Sequence, residues 1–308
     1  MVQKASQKQN LIERYFIVLV LIIAGVALWQ PSGFIWIKPH IPKLLGVIMF
    51  GMGVSLTFDD FKKIWKEKHL LFLGVAMQFF VMPLLAIFLS FAFHLSKEIL
   101  IGMVLVGACP GGTASNVMAY LSKANLALSV TLTLSSTLLA PFVTPAIVYF
   151  LLSRQIDISF WGMMKSVFWI VIFPLFDGLV LRHLLYRYVK KYISFFPSVS
   201  MVSIALIIGC VIALNQQLLL TFPFLILMAV VLHNTLGMAI GYGFARLFKA
   251  SKRNARTLAF EVGMQNSGLA VTLATQFFTA ASALPGAIFS IVHNMSGVTL
   301  ASWWGKKK

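Results

Sequence analysis

Charge is what this chain has least of, and negative charge above all. Asp and Glu number 8 in 308 residues, charged residues of both signs make up 11%, and 59% are apolar. A soluble domain carries about 25% charged residues. With a mean hydropathy of +0.90, there is too little polar surface to coat a globule, so lipid must be the solvent. The two cysteines, Cys109 and Cys210, are too few for a disulfide framework and lack metal-site spacing. No Walker loop, HExxH or GxSxG string occurs, which leaves ATP-driven transport and hydrolase chemistry without support.

What is there is apolar and long. A backbone in lipid must satisfy its own hydrogen bonds, which leaves helices or a closed barrel. The apolar runs far exceed the roughly ten-residue strands of a barrel, so the expected class is an all-α membrane protein. Ten runs are expected, at about 15–29, 43–57, 69–93, 98–121, 125–152, 161–187, 198–215, 219–247, 255–278 and 284–304. Their short connections leave room for one membrane domain over residues 1–308. The first run lacks a small-residue cleavage site and reads as a span rather than a signal peptide.

The net charge of +17 would suit a nucleic-acid binder, but its distribution argues against one. With the N-terminus inside, 20 of the 25 Lys and Arg fall on the inner side, from Lys4, Lys8 and Arg14 to Lys306, Lys307 and Lys308. Only Lys38, Lys43, Lys97, Arg154 and Lys165 fall outside. Basic loops resist translocation, and inner cations suit anionic headgroups. The expectation is a multi-pass protein of an inner (cell) membrane with both termini cytoplasmic, a lipid partner and no nucleic acid.

Ionisable groups at bilayer depth usually mark function. Glu13, Asp59, Asp60, Glu67, Glu98 and Asp157 fall in tails or loops, and Asp177 lies near the inner interface. Glu261 lies inside the ninth run, within Phe260-Glu261-Val262-Gly263-Met264-Gln265-Asn266-Ser267-Gly268. The fourth run is interrupted by Cys109-Pro110-Gly111-Gly112-Thr113-Ala114-Ser115-Asn116. Proline removes a donor and glycine eases non-helical angles, so both runs are expected to unwind midway. Ordinary kinks would explain the glycines and proline, but not the carboxylate and amides that accompany them. Each break interrupts the fourth helix of a five-helix half, the signature of an inverted-topology repeat (about 15–152 and 161–304) with a transporter's binding site at the breaks.

Hard cations prefer oxygen. Ser115, Asn116, Ser129, Thr133 and Glu261 supply one oxygen set for a sodium ion, Ser129 and Thr133 sharing a helix face. Gln78, Glu261, Gln265 and the carbonyls of Val262 and Met264 supply a second.

The strings Gly51 to Thr57, Cys109 to Asn116, Ala127 to Val130 and Glu261 to Gly268 resemble the bile acid:sodium symporter family. Bacterial homologues of the apical sodium-dependent bile acid transporter are the nearest likeness. The resemblance covers essentially the whole chain. It implies ten transmembrane helices with discontinuous, crossing helices 4 and 9, and those same two sodium sites. It also implies a panel of helices 1, 2, 6 and 7 beside a core of helices 3–5 and 8–10. Substrate would sit between them near Thr113, Asn266, His293 and Asn294. His293, placed near the start of the tenth helix, reads equally as a structural histidine bonded to a neighbouring carbonyl. The expected activity is sodium-coupled symport of an organic anion by a monomer working by alternating access. The anion is bile-acid-like or a small carboxylate such as pantoate, and no enzyme chemistry is expected. The alternative is a sodium/proton antiporter with Glu261 as proton carrier; exchangers of that design usually hold a second carboxylate or a lysine at the crossing.

Overall fold

The computed structural model describes residues 18–62, 68–153, 158–221 and 223–306. Lys4, Lys8, Arg14, Lys63, Lys66, Arg154, Lys307 and Lys308, like Glu13, Glu67 and Asp157, lie outside them. Among the described residues the chain is helical, with a single isolated β-bridge and no strand. The main helices are α1 (Val18–Trp29), α2 (Ile41–Ser55), α3 (Lys68–Ala92), α4 (Lys97–Ala108), α5 (Ala114–Leu121) and α6 (Leu126–Leu152). They continue with α7 (Phe160–Val189), α8 (Phe196–Leu214), α9 (Pro223–Leu247), α10 (Lys252–Gly263), α11 (Ser267–Phe277) and α12 (Ala280–Lys306).

Six of these, α3, α6, α7, α8, α9 and α12, are long and apolar enough to cross a membrane, and a seventh span results if Val18–Trp29 and Ser32–Ser55, bent by 117°, count as one. The expected fourth and ninth runs are each two helices, α4 with α5 and α10 with α11. At 1.5 Å per residue, the 12 residues of α4 or of α10 reach only about halfway through a ~30 Å hydrocarbon core.

Local sequence explains several boundaries. Asn125, Ser159, Ser251 and Asn266 cap α6, α7, α10 and α11, each side-chain oxygen accepting a first-turn N–H. Two helices widen into a π-turn, at Met77–Val81 in α3 and Phe168–Ile172 in α7. Pro83 and Pro174 follow these turns. A proline inside a helix withdraws one N–H and crowds the preceding turn, and the widened turn absorbs both.

Close packing runs through glycines. A Cβ on Gly53 of α2 would lie 1.9 Å from the Leu175 carbonyl of α7, and one on Gly178 of α7 would lie 2.3 Å from the Phe50 carbonyl of α2. Val20 and Ala27 of α1 join Ala205, Ile208 and Ile212 of α8 in one cluster. Small residues let helix backbones approach where lipid supplies no hydrophobic drive. Large apolar side chains such as Phe72, Phe80, Phe150 and Leu184 stay exposed, as expected where the surrounding medium is hydrocarbon.

Candidate functional site

The two unwound stretches meet. Gly111, between α4 and α5, pairs with Gln265, between α10 and α11, as an antiparallel bridge. Gly112 N–H donates to the Met264 carbonyl at 2.7 Å, and Asn266 N–H donates to the Pro110 carbonyl at 2.8 Å. Each break thus satisfies part of the backbone that the other left unbonded. Contact this close requires glycine, because a Cβ on Gly112 would lie 2.7 Å from the Gln265 carbonyl.

Glu261, in the last turn of α10, is 1% exposed. Ser115 Oγ of α5 and Ser129 Oγ of α6 each donate to its Oε1 at 2.5 Å, and Thr133 Oγ1 donates to Oε2 at 2.8 Å. Ser115 Oγ also lies 2.7 Å from the Gly112 carbonyl, so one proton serves two acceptors. Asn116 Oδ1 stands 3.5 Å from Thr133 Oγ1, at the margin of the group. Hydroxyls from two helices, α5 and α6, therefore converge on one carboxylate of a third, α10. No basic side chain pairs with Glu261 among the described residues, and no cluster of three His, Cys, Asp or Glu occurs among them.

The second set lies against the first. Gln78, carried inward by the π-turn of α3, is 3% exposed and Gln265 is fully buried. Gln265 Nε2 donates to the Val262 carbonyl at 3.2 Å. The Gln78 amide lies 2.5 Å from Gln265 Oε1 and 3.3 Å from the Cys109 carbonyl. We favour its other orientation, which accepts from Gly111 N–H at 2.8 Å and donates to the Glu261 carbonyl at 3.0 Å. That arrangement satisfies backbone groups of both breaks. It also sets the Gln78 and Gln265 amide oxygens face to face at 2.5 Å, a contact that is repulsive without a positive charge beside it.

The four residues expected around an organic substrate lie at the start of α5, at the start of α11 and on α12. Thr113, half-buried, holds the N-cap position of α5 with no side-chain cap bond. Asn266 Oδ1 caps α11 through Leu269 N–H at 3.1 Å, which turns its NH2 towards Met49 Sδ of α2 at 4.0 Å. His293 is in the middle of α12 rather than near its start, because the helix begins at Ala280 and ends at Lys306. Its buried Nδ1 has no partner, so no carbonyl bond holds that nitrogen, and its ring meets Phe289 edge-on at 5.2 Å. Asn294 bonds back to the Ser290 carbonyl at 2.7 Å.

Sequence reasoning overlooked three side chains that hold the breaks. Ser136 Oγ accepts from Gly111 N–H at 3.2 Å, and Thr144 Oγ1 donates to the Ala108 carbonyl at the end of α4 at 2.7 Å. Asn234 of α9 bonds the Gly263 carbonyl at 2.7 Å. The spacing of Ser136 from Thr133 was a legible signal, since i and i+3 share a helix face. Asn234, an amide in an apolar run, was another.

Long apolar helices, a buried carboxylate with no basic partner among the described residues and two mutually bonded helix breaks mark a multi-pass membrane protein. Comparison with known sequences gives the family. The model of the Sodium Bile acid symporter family matches residues 42–222, and the chain belongs to that family. It is 43% identical over 292 residues to an uncharacterized sodium-dependent transporter, YocS, of Bacillus subtilis, covering 95% of this chain and 91% of that one. The chloroplastic probable sodium/metabolite cotransporter BASS1 of Arabidopsis thaliana is 35% identical over 281 residues, covering 91% of this chain and 70% of that one. The chloroplastic BASS3 of Oryza sativa, described in the same words, is 32% identical over 291 residues, covering 93% and 69%. The protein is thus a member of a sodium-dependent transporter family, whose relatives are named as transporters and not as enzymes.

Proposed function

We propose that this chain is a symporter that uses two sodium ions to carry one organic anion inward by alternating access. The observation that carries the reading is Glu261: a fully desolvated carboxylate, ringed by hydroxyls, with no basic partner among the described residues. A buried charge without a counter-charge costs several kcal/mol, and a sodium ion is the counter-charge that hydroxyl, amide and carbonyl oxygens suit. The first ion would take Ser115, Asn116, Ser129, Thr133 and Glu261. The second would take Gln78, Glu261, Gln265 and the carbonyls of Val262 and Met264. The Met264 carbonyl keeps one lone pair after accepting from Gly112.

On this reading residues 1–308 form one transporter domain of ten spans. The α4–α5 and α10–α11 pairs each make one broken span, and two five-span halves run in opposite directions. Helices α1, α2, α7 and α8 would form a panel and the rest a core. Asn266, which aims its amide at Met49 of α2, lies on the proposed seam. Gly112 and Asn266 have spent their N–H groups on the bridge. The anion would therefore meet the Asn266 amide and the Thr113 hydroxyl, within the N-terminal dipoles of α5 and α11. Asn294, whose amide bonds its own helix, and His293 would line the site rather than clamp the charge. A single copy of the chain contains every residue invoked. The cargo class is bile-acid-like or a small carboxylate such as pantoate. Two sodium ions with one monoanion move one net charge inward, worth about 2.3 kcal/mol per 100 mV.

Paired titrations test the proposal. Sodium should raise anion affinity, and the anion should raise sodium affinity by the same factor, as linkage requires. Glu261→Ala should abolish the sodium dependence while the protein stays folded. If no anion shows reciprocal coupling and sodium binding instead releases protons, the protein is the sodium/proton antiporter.

A further inference from the structure

We infer that Asn234 is a positioning residue for the second break, aiming the carbonyls that the proposed second sodium site uses; this rests on the two-site reading above. The two breaks are served by amides at matching distances in sequence. Gln78 lies 31 residues before Cys109, and in the orientation favoured above its amide accepts from Gly111 N–H of the first break. Asn234 lies 29 residues before Gly263, and its amide donates to the last carbonyl of α10. Each amide comes from the helix that precedes its broken pair, and each bonds backbone at that pair's break.

The environment of Asn234 leaves its side chain no freedom. The residue is fully buried. Nδ2 donates to the Gly263 carbonyl at 2.7 Å, while Oδ1 accepts from Ser296 Oγ of α12 at 2.5 Å. The Gly263 carbonyl, which can only accept, fixes which end of the amide faces it, and the Ser296 hydroxyl holds the other end in place. The approach is possible because position 263 is glycine; a Cβ there would lie 2.2 Å from Met238 Cγ of α9.

The consequence for ion ligation is geometric. Met264 is extended, with φ −115° and ψ 95°, and successive groups along extended chain point to opposite sides. Holding the Gly263 carbonyl towards α9 turns the Met264 carbonyl the other way, towards the crossing, where Gly112 N–H meets it at 2.7 Å. The peptide plane is rigid, so the Gly263 carbonyl cannot swing without also moving Met264 N–H, which bonds Phe260 at 2.9 Å. Without Asn234, the end of α10 would keep an unbonded carbonyl in a dry interior, and the chain would relieve it by turning that plane.

The test is a sodium titration of the full-length protein in detergent, read by thermal stability, with potassium chloride holding ionic strength constant. Asn234→Ala should raise the sodium midpoint roughly tenfold, the ~1.4 kcal/mol worth of a neutral hydrogen bond. Ser296→Ala should shift it in the same direction by a smaller factor. A mere structural tie between helices would lower the melting temperature equally in sodium and in potassium and leave the midpoint at the wild-type value; that result overturns the inference. If Asn234→Ala does not fold, a wild-type midpoint in Ser296→Ala overturns it instead. Glu261→Ala run alongside separates the two levels. Wild-type sodium response in that variant removes the two-site reading and this inference together. Loss of response there, with unaltered midpoints at 234 and 296, removes this inference alone.

Discussion

At Thr133 a single atom can be removed without changing shape. Its hydroxyl donates to Glu261 Oε2 at 2.8 Å and the residue is fully buried. Thr133→Val keeps the volume and deletes the oxygen, so the sodium midpoint should rise roughly tenfold or more with little change in melting temperature without sodium. A sodium-dependent stability titration measures it, and an unaltered midpoint would take Thr133 out of the first site. Asn266 offers a cleaner separation of functions. Asp caps a helix about as well as Asn, so Asn266→Asp should preserve the start of α11 while replacing an amide donor with a carboxylate. Anion binding should fall at least tenfold, since like charges repel strongly where solvent is scarce, and sodium binding without substrate should survive. Equal loss of both would place Asn266 in the ion site. The carboxylate, the hydroxyls on α6 and the break itself were all legible in the sequence, because each is a polar residue where apolar ones belong. The orientation of Asn266 was not legible, nor was the bonding back of Asn294 onto its own helix, since both depend on where a helix starts.

Among elements, the pairing of α2 with α7 is the most tightly specified. Gly53 and Gly178 each face a backbone carbonyl of the other helix at a distance no Cβ tolerates. Gly178→Ala should therefore force the two helices apart and lower stability by about 1–3 kcal/mol, the usual range of overpacking. Thermal unfolding in detergent reads this, and wild-type stability would mean that the helices separate at no cost. Ten apolar runs were legible from hydropathy, yet the π-turns were not. A widened turn leaves the apolar pattern almost unchanged while rotating every later side chain, and Gln78 owes its inward direction to one of them. Helix ends were likewise obscured where no glycine marks them: His94, Lys123 and Lys249 adopt positive φ angles of 47°, 56° and 60° just beyond α3, α5 and α9. Their side chains gave no hint of a left-handed turn, which ordinarily favours glycine or asparagine.

For the whole molecule, the decisive question is whether each broken pair crosses the bilayer or turns back. Basic residues carry the sidedness argument, and the structure gives several of them a further task. Arg182 bonds the Ser55 and Val54 carbonyls at the end of α2, at 2.5 and 3.2 Å, and Arg256 bonds the Ser122 carbonyl beyond α5 at 3.2 Å. Cations at helix C-termini satisfy orphan carbonyls and oppose the dipole, so these arginines hold the ends of α2 and α5. On the proposed topology, the bias of basic residues would put the ends of α2 and α5 on one side, the cytoplasm. Lys97 begins α4 and Lys123 follows α5, both exposed, with only the broken pair between them. Cysteines introduced singly at these positions in a cysteine-free background should behave oppositely in sealed cells. Lys97→Cys should react with an impermeant maleimide from outside, and Lys123→Cys only after permeabilisation. Ser32→Cys and Lys252→Cys, exposed before α2 and at the start of α10, should divide in the same way. If Lys97 and Lys123 label from the same side, the pair is a re-entrant hairpin, and the ten-span inverted repeat fails with it. If all four divide as expected but with the sides exchanged, the broken span crosses and the orientation is inverted. The inner arginines would then face the outside, and the inference from basic charge to cytoplasmic termini would be lost.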